Sequence, residues 1–367
     1  MSPLRSLALV QGAITLCWVI YDLVLPQLLD DAGLDLAWVR SLLVIENLLI
    51  LVVEPVMGAL SDRWRQALAL RWSLITGSAL LAATMFVALP WLAIARQSEL
   101  FVGLVVLWSV SMAVFRSPVL SLLGQMGGTL PLPVAASVLT LSSGIFGALR
   151  PVAQNFLLSL GAVPTFGAGA IVLGGAILYL RRVSPAMPEA EDAPTSVPWE
   201  RSLGLAAVGM AMGTGTRLLL GMVVPEQIAQ ILATPWVPWG VAGMILWQAG
   251  WAVVGGWVAT RWGLGRSLRI TAVAVGLLCG GLLVNQSLGW LIMLLVMAGF
   301  GVIANGMIPL ALTVMPARWG GLGIGTYLGA FGGAIALWGV VMPTGEAVYL
   351  LSMVAFLSVA AMLYRLP

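Results

Sequence analysis

Six ionisable side chains stand inside apolar stretches long enough to cross a bilayer: Asp22, Glu46, Glu54, Arg116, Arg150 and Arg217. A charge at the bilayer centre costs at least about 2.5–3.5 kcal/mol. Three acids and three arginines balance, and pairing them inside a polar space removes most of that cost. Such a set can do ion-pair and proton chemistry. With no His in the chain, the side chain that titrates nearest neutrality is missing, so any proton carrier is a carboxylate, a Tyr or a perturbed Cys. Cys17 and Cys279 lie in apolar runs and read as small buried hydrophobes, not as zinc ligands or a disulfide. No glycine-rich phosphate loop, nucleophile elbow or metal motif is present in the sequence. The expectation is a protein with no enzymatic centre, no cofactor and no metal.

The elements that must position these charges follow from composition. Of 367 residues 60% are hydrophobic and 8% charged, against about 25% charged in a soluble domain, and the mean hydropathy is +1.04. The chain therefore reads as an all-α membrane protein. Apolar runs predict twelve transmembrane helices, at 6–28, 36–61, 67–91, 99–124, 132–160 and 163–181, then at 202–224, 238–260, 267–287, 289–315, 319–342 and 346–364. The first run is too long for a cleaved signal peptide and is expected to stay as the first span. The segment 183–201 is rich in Pro and acids and reads as a solvated linker between two six-helix bundles, 1–182 and 202–367. All 17 basic residues are Arg. With the N-terminus placed inside, inner loops and ends hold most of them, Arg71 included, and outer loops hold only Arg40 and Arg96. That bias predicts cytoplasmic termini and a place in the inner (plasma) membrane. The net charge of +3 does not imply nucleic-acid binding, because the arginines cluster in a few loops.

Depth narrows the pairs. Glu54 and Arg116 each lie about eight residues, or about 12 Å, from the inner end of their helix, which predicts a Glu54–Arg116 pair. Asp22 is expected to pair with Arg150 or Arg217. Pro55, Pro118 and Pro151 stand beside Glu54, Arg116 and Arg150, so backbone irregularity is expected next to the charges. Further candidate solute contacts are Trp247, Gln248 and Trp251 on the eighth helix, Asn305 on the tenth, and Gln154 and Asn155 on the fifth.

Two helix ends match each other. Gly58-x3-Asp62-Arg63-Trp64 closes the second helix and Gly256-x3-Thr260-Arg261-Trp262 closes the eighth. The same motif on helices six apart indicates a parallel six-plus-six repeat. The glycines allow close approach of a neighbour, and Asp62 and Arg63 offer an ion pair that can be made and broken at the inner surface. Taken with the twelve spans and the central linker, the chain resembles the major facilitator superfamily. That resemblance implies the major facilitator fold, secondary transport by alternating access, and a central path lined by helices 1, 4, 7 and 10. It makes Gly58, Asp62, Arg63, Gly256 and Arg261 a gating motif, although Arg65 stands where the family usually has Gly.

A narrower resemblance lies in Glu54-Pro55-Val-Met-Gly58 and Arg116-Ser-Pro118-Val-Leu-Ser-Leu122, which are similar to stretches of the glycoside–pentoside–hexuronide cation symporters and the sucrose transporters. Sodium-coupled members have acids where this chain has Arg116 and Ile50, so the resemblance implies proton coupling, through Glu54, Arg116, Asp22 and Glu46, and a sugar-like solute. Alternatives are an organic-anion or drug efflux transporter, the three arginines favouring anions, or a non-transporting assembly or pigment-delivery protein of the same fold. The partners expected are a small-molecule solute, protons and the lipid bilayer, with no nucleic acid, and the chain acting as a monomer.

Overall fold

A computed structural model of the chain describes residues 3–64, 67–125, 130–184, 196–284 and 288–366. Most of the expected linker and Arg65 lie outside the described residues. Among the described residues, twelve helices are long and apolar enough to cross a membrane: α1 (Pro3–Asp31), α2 (Ala37–Arg63), α3 (Ala69–Ile94), α4 (Ser98–Gly124), α5 (Leu132–Val152), α6 (Ala162–Val183), α7 (Trp199–Ile231), α8 (Thr234–Trp262), α9 (Leu264–Val284), α10 (Gly289–Val314), α11 (Ala317–Val340) and α12 (Glu346–Leu363). The chain is a multi-pass membrane protein. In lipid each backbone amide must find its partner within the segment, so apolar runs of this length fold as helices.

Helix pairing repeats with an offset of six. In the first half α1 packs on α5 and α6, α2 on α4, and α3 on α4 and α6. In the second, α7 packs on α11 and α12, α8 on α10, and α9 on α10 and α12. The halves meet through α2–α11 and α5–α8, flanked by α4–α11 and α5–α10. These cross-contacts also exchange under the same offset. The interface is thus pseudo-two-fold, as the paired Gly58 and Gly256 motifs imply.

Two helices depart from the sequence expectation, and proline explains both. The fifth span is not continuous over 132–160. It runs Leu132–Gly147, Leu149–Val152 and Gln154–Leu160. The ring of Pro151 clashes with the carbonyl four residues earlier, that of Gly147, and supplies no N–H to it. The seventh runs to Ile231 rather than 224, with one π turn at Leu219–Val223. Pro225 clashes in the same way with the carbonyl of Gly221, and widening the turn relieves the clash. By contrast α2 and α4 continue through Pro55 and Pro118.

An aromatic cluster fixes the core of the first half. Trp108 of α4 lies 4.8 Å from the rings of both Trp18 and Tyr21 of α1 and 5.1 Å from Phe86 of α3. Phe86 in turn meets Phe166 of α6 at 4.3 Å. Aromatic pairs at this spacing add about 0.5–1.5 kcal/mol each beyond burial. They hold Tyr21 rigidly, with its hydroxyl aimed at α2.

Candidate functional site

The six charges fall into two tiers. Asp22, Arg150 and Arg217 each stand 18 or 19 residues past the start of α1, α5 and α7, about 27 Å along each helix. Glu46 lies at matching depth on α2, which runs the opposite way. Glu54 and Arg116 form a second tier about 12 Å deeper, given the eight residues between Glu46 and Glu54.

In the first tier Arg150 Nη2 lies 3.1 Å from Asp22 Oδ2, with 55% and 26% of the two side chains exposed. Arg217 interacts electrostatically with both Asp22 and Arg150. The sequence left open which arginine Asp22 meets, and in the structure Arg150 makes the contact while Arg217 stays within electrostatic reach. Both arginines sit at backbone irregularities, Arg150 between the two breaks of α5 and Arg217 just before the π turn of α7. Glu46 is 3% exposed. It accepts a short hydrogen bond from the Tyr21 hydroxyl and neighbours Ser109 and Asp22.

In the second tier Arg116 Nη1 lies 3.6 Å from Glu54 Oε1. Glu54 is fully buried, and among the described residues neither carboxylate oxygen accepts a hydrogen bond. Ser117 Oγ donates to the Glu54 main-chain carbonyl at 3.1 Å. Tyr327 of α11 is within electrostatic reach of Arg116, so this tier touches the second half of the molecule.

Below both tiers the halves are joined. Asp62 Oδ1 and Oδ2 accept the backbone N–H groups of Gly321 (3.0 Å) and Leu322 (2.8 Å) in the first turn of α11. Those amides lack intrahelical partners, and the positive end of the helix dipole favours a carboxylate there. Arg63, expected to pair with Asp62, is exposed. A Cβ on Gly58 would collide with the carbonyl of Gly321. In the pseudo-symmetric position a Cβ on Gly256 would stand 2.8 Å from the carbonyl of Pro133, at the start of α5. Thr260, the counterpart of Asp62, donates instead to the Gly256 carbonyl of its own helix at 2.9 Å, and Arg261 is exposed. Arg71, counted with the loop arginines on sequence, is fully buried in α3. It donates to Ser61 (3.0 Å), Ser121 (2.7 Å) and Gln125 (3.4 Å).

The remaining candidates scatter. Asn305 bridges the halves, donating to Pro133 O at 3.1 Å and accepting from Thr140 Oγ1 at 3.3 Å. Gln154 and Asn155 are exposed on the last piece of the fifth span. Trp247 donates to Leu294 O of α10 at 2.9 Å and meets the Trp251 ring edge-on, and Gln248 is buried beside them. That group lies at the α8–α10 seam within the second half. Tyr21, Ser109 and Tyr327 escaped the sequence reading. Tyr21 had a signal, because a tyrosine deep in a span needs a partner for its hydroxyl. Cys17 and Cys279 are buried and free, and among the described residues no group of three His, Cys, Asp or Glu comes together.

No protein-family model and no curated protein matches the sequence. Solved structures match in fold. The chain is similar to a bacterial homologue of the iron transporter ferroportin in its outward-facing state, with a TM-score of 0.79 and 14% identity over 100% of this chain and 99% of that one. It is similar to the E. coli fucose:proton symporter, with a TM-score of 0.71 and 12% identity over 99% and 98% of the two chains. A second structure under the same protein name, a major facilitator superfamily transporter in the outward conformation, gives 0.75, again at 12% identity over 99% and 98%. At such identities the likeness speaks for the fold, which is the twelve-helix, two-bundle arrangement of the major facilitator transporters.

Proposed function

We propose that the chain is a secondary active transporter. It moves a small polar solute across the inner (plasma) membrane by alternating access, coupled to protons, as a monomer with both termini cytoplasmic. Its two bundles are 1–182 and 202–367, joined by the linker at 183–201. The observation that carries this reading is the Asp22–Arg150 pair. It sits deep within the spans and yet is one-quarter to one-half exposed, a position that in lipid costs several kcal/mol and in a water-filled path costs little. The halves are joined at the Asp62 level. The charges of the first tier lie beyond that closure, which supports an outward-open state. Likeness to structures in outward-facing states supports the same assignment.

Glu54, Arg116, Asp22 and Glu46 form the coupling set. Glu54 is clasped by Arg116 in this state and takes the proton when the two part as the halves rock. Gly58, Asp62 and Arg63 form the inner gate on α2, with Gly256 and Arg261 as its weaker counterpart on α8. Arg150 and Arg217 hold the solute, with Gln154, Asn155, Asn305, Trp247, Gln248 and Trp251 as outlying contacts. A sugar-like solute is supported by the α2 and α4 stretches and by the likeness to a fucose:proton symporter. Arg150 and Arg217 in one tier favour an anion. The test is uptake of labelled fucose and glucuronate into vesicles holding the purified protein, with acid imposed outside. Gradient-driven accumulation that Glu54→Gln abolishes is expected. Full accumulation by Glu54→Gln contradicts the role of Glu54, and no gradient-driven uptake of either solute favours the non-transporting alternative.

A further inference from the structure

We infer that the first tier binds a monovalent organic anion, a carboxylate-bearing solute held between Arg150 and Arg217, and that in this state, with Glu54 clasped by Arg116, the proton accompanying it sits on Glu46. This rests on the transport reading and names its solute class.

Asp22 neutralises one arginine, through the 3.1 Å contact with Arg150. Arg217 stands within reach of both, so two guanidinium groups share one carboxylate. Keeping the second cation near the first costs repulsion. An anion placed between them relieves it, and planar guanidinium forks match the geometry of a carboxylate. A cation is repelled from the same place, and a neutral sugar leaves the surplus charge uncompensated.

Arg217 is not consumed elsewhere among the described residues. Its Nε is buried with no hydrogen-bond partner among the described residues. Its Nη1 lies 3.4 Å from where a Cβ on Gly221 would stand. Gly221 is inside the π turn, so the guanidinium lies along its own helix over a residue that has no side chain. A π turn at such a place is a frequent mark of a functional site. Arg150 has a comparable freedom, with 55% of its side chain exposed on a four-residue helical segment between two breaks.

Glu46 completes the tier. It is nearly fully buried, and the groups around it can be followed helix by helix. From α1 come the Tyr21 hydroxyl, which donates to Oε1, and the Asp22 carboxylate. From α4 comes Ser109, whose hydroxyl is shared between Val105 O, at 3.0 Å, and Glu46. Arg116, the mid-span charge of α4, belongs to Glu54 two turns deeper. On α11 the only charged residue, Arg318, is at the opposite end, and Tyr327 lies at the Glu54 level. Among the described residues the one charged neighbour of Glu46 is therefore another acid, Asp22. A buried carboxylate without a cation is expensive, whereas a carboxylic acid here accepts from Tyr21 and donates to Ser109. With Glu46 ionised the tier sums to zero, and with Glu46 protonated it carries one positive charge. Proton and monoanion then enter together with no net charge moved onto the site.

The experiment uses the full chain, purified and monodisperse. Thermal stabilisation is measured with lactate, benzoate and D-glucuronate as monoanions and with D-glucose as the neutral counterpart of glucuronate, in acidic and alkaline buffer. At least one monoanion is expected to stabilise the protein in acid. Its affinity should fall about tenfold for each pH unit above the protonation midpoint, as one linked proton requires. Arg217→Gln should weaken binding at least about tenfold and Arg217→Lys by less. Glu46→Gln should bind tightly without pH dependence. An infrared carboxylic-acid band should vanish in Glu46→Gln and persist in Glu54→Gln. The inference is overturned if no monoanion stabilises the protein, if Arg217→Gln binds as wild type does, or if Glu46→Gln keeps the pH dependence. Proton-driven uptake of a neutral sugar, alongside any of those failures, leaves the transport reading standing and removes only the anion.

Discussion

The Asp62 carboxylate of α2 caps the first turn of α11 across the boundary between the halves, 2.8 Å from the Leu322 amide nitrogen and 3.0 Å from that of Gly321. A single side chain thus satisfies two orphan amides of a helix some 260 residues away in sequence. It does so at a glycine crossing of α2 and α11, where a Cβ on Gly58 would collide with the Gly321 carbonyl.

Neutralising that cap should loosen the inner closure. Asp62→Asn keeps one acceptor and loses the charge, a change of about 1–2 kcal/mol at a partly buried helix terminus, or roughly a five- to thirtyfold shift in the closed-to-open ratio. Leu312, which faces Gly124 across the closed end, reports on it. In a background lacking Cys17 and Cys279, a thiol reagent should label Leu312→Cys faster by that factor when Asp62→Asn is added. An unchanged rate contradicts the cap as a latch.

Glycine position should matter by neighbour, not by helix. Gly58→Ala drives a methyl into the Gly321 carbonyl, and overpacking of this kind costs about 1–3 kcal/mol. Gly243 in α8 has nothing within 4 Å, so Gly243→Ala should be neutral or gain up to about 1 kcal/mol from helix propensity. Midpoints of thermal unfolding in one detergent compare the two. Equal effects contradict the close crossing.

The two ion pairs should behave differently. Arg116→Leu leaves the fully buried Glu54 without its cation, and an uncompensated buried charge costs about 3–5 kcal/mol. Adding Glu54→Gln should recover part of that loss. Arg150→Gln breaks a pair that water reaches and should cost about 0–1 kcal/mol while weakening solute binding. A thermal-unfolding double-variant cycle checks this, and a smaller loss for Arg116→Leu than for Arg150→Gln contradicts the tiers as described.

Much of this was legible in the sequence for a definite reason. Spans follow from apolar length, and the depth of Glu54 and Arg116 follows from a constant rise per residue, so their pairing could be counted out. The helix breaks were only partly legible. Pro55, Pro118 and Pro151 look alike on paper, yet only Pro151 divides its helix, because tertiary packing decides whether a proline bends or breaks. The partners of Asp62 were not legible at all. They are backbone amides, which carry no residue signature, whereas the neighbouring Arg63 suggested a pair that does not place Asp62. Arg71 misled in the opposite way. An arginine near a helix end reads as snorkelling to the rim, and Ser61, Ser121 and Gln125, which bury it, come from two separate places in the chain, the ends of α2 and α4.

Alternating access to the charged tiers is the central claim, and solvent access measures it without knowledge of the solute. Cysteines placed singly beside Arg116 and Arg217, in vesicles of known orientation and in the background without Cys17 and Cys279, are exposed to membrane-impermeant thiol reagents from each side in turn. The position beside Arg217 is expected to label from the outer side in the resting state, and Asp62→Asn to open the position beside Arg116 to the inner side. Absence of labelling from either side at both positions contradicts it, and leaves the six charges as structural pairs in a protein that does not transport.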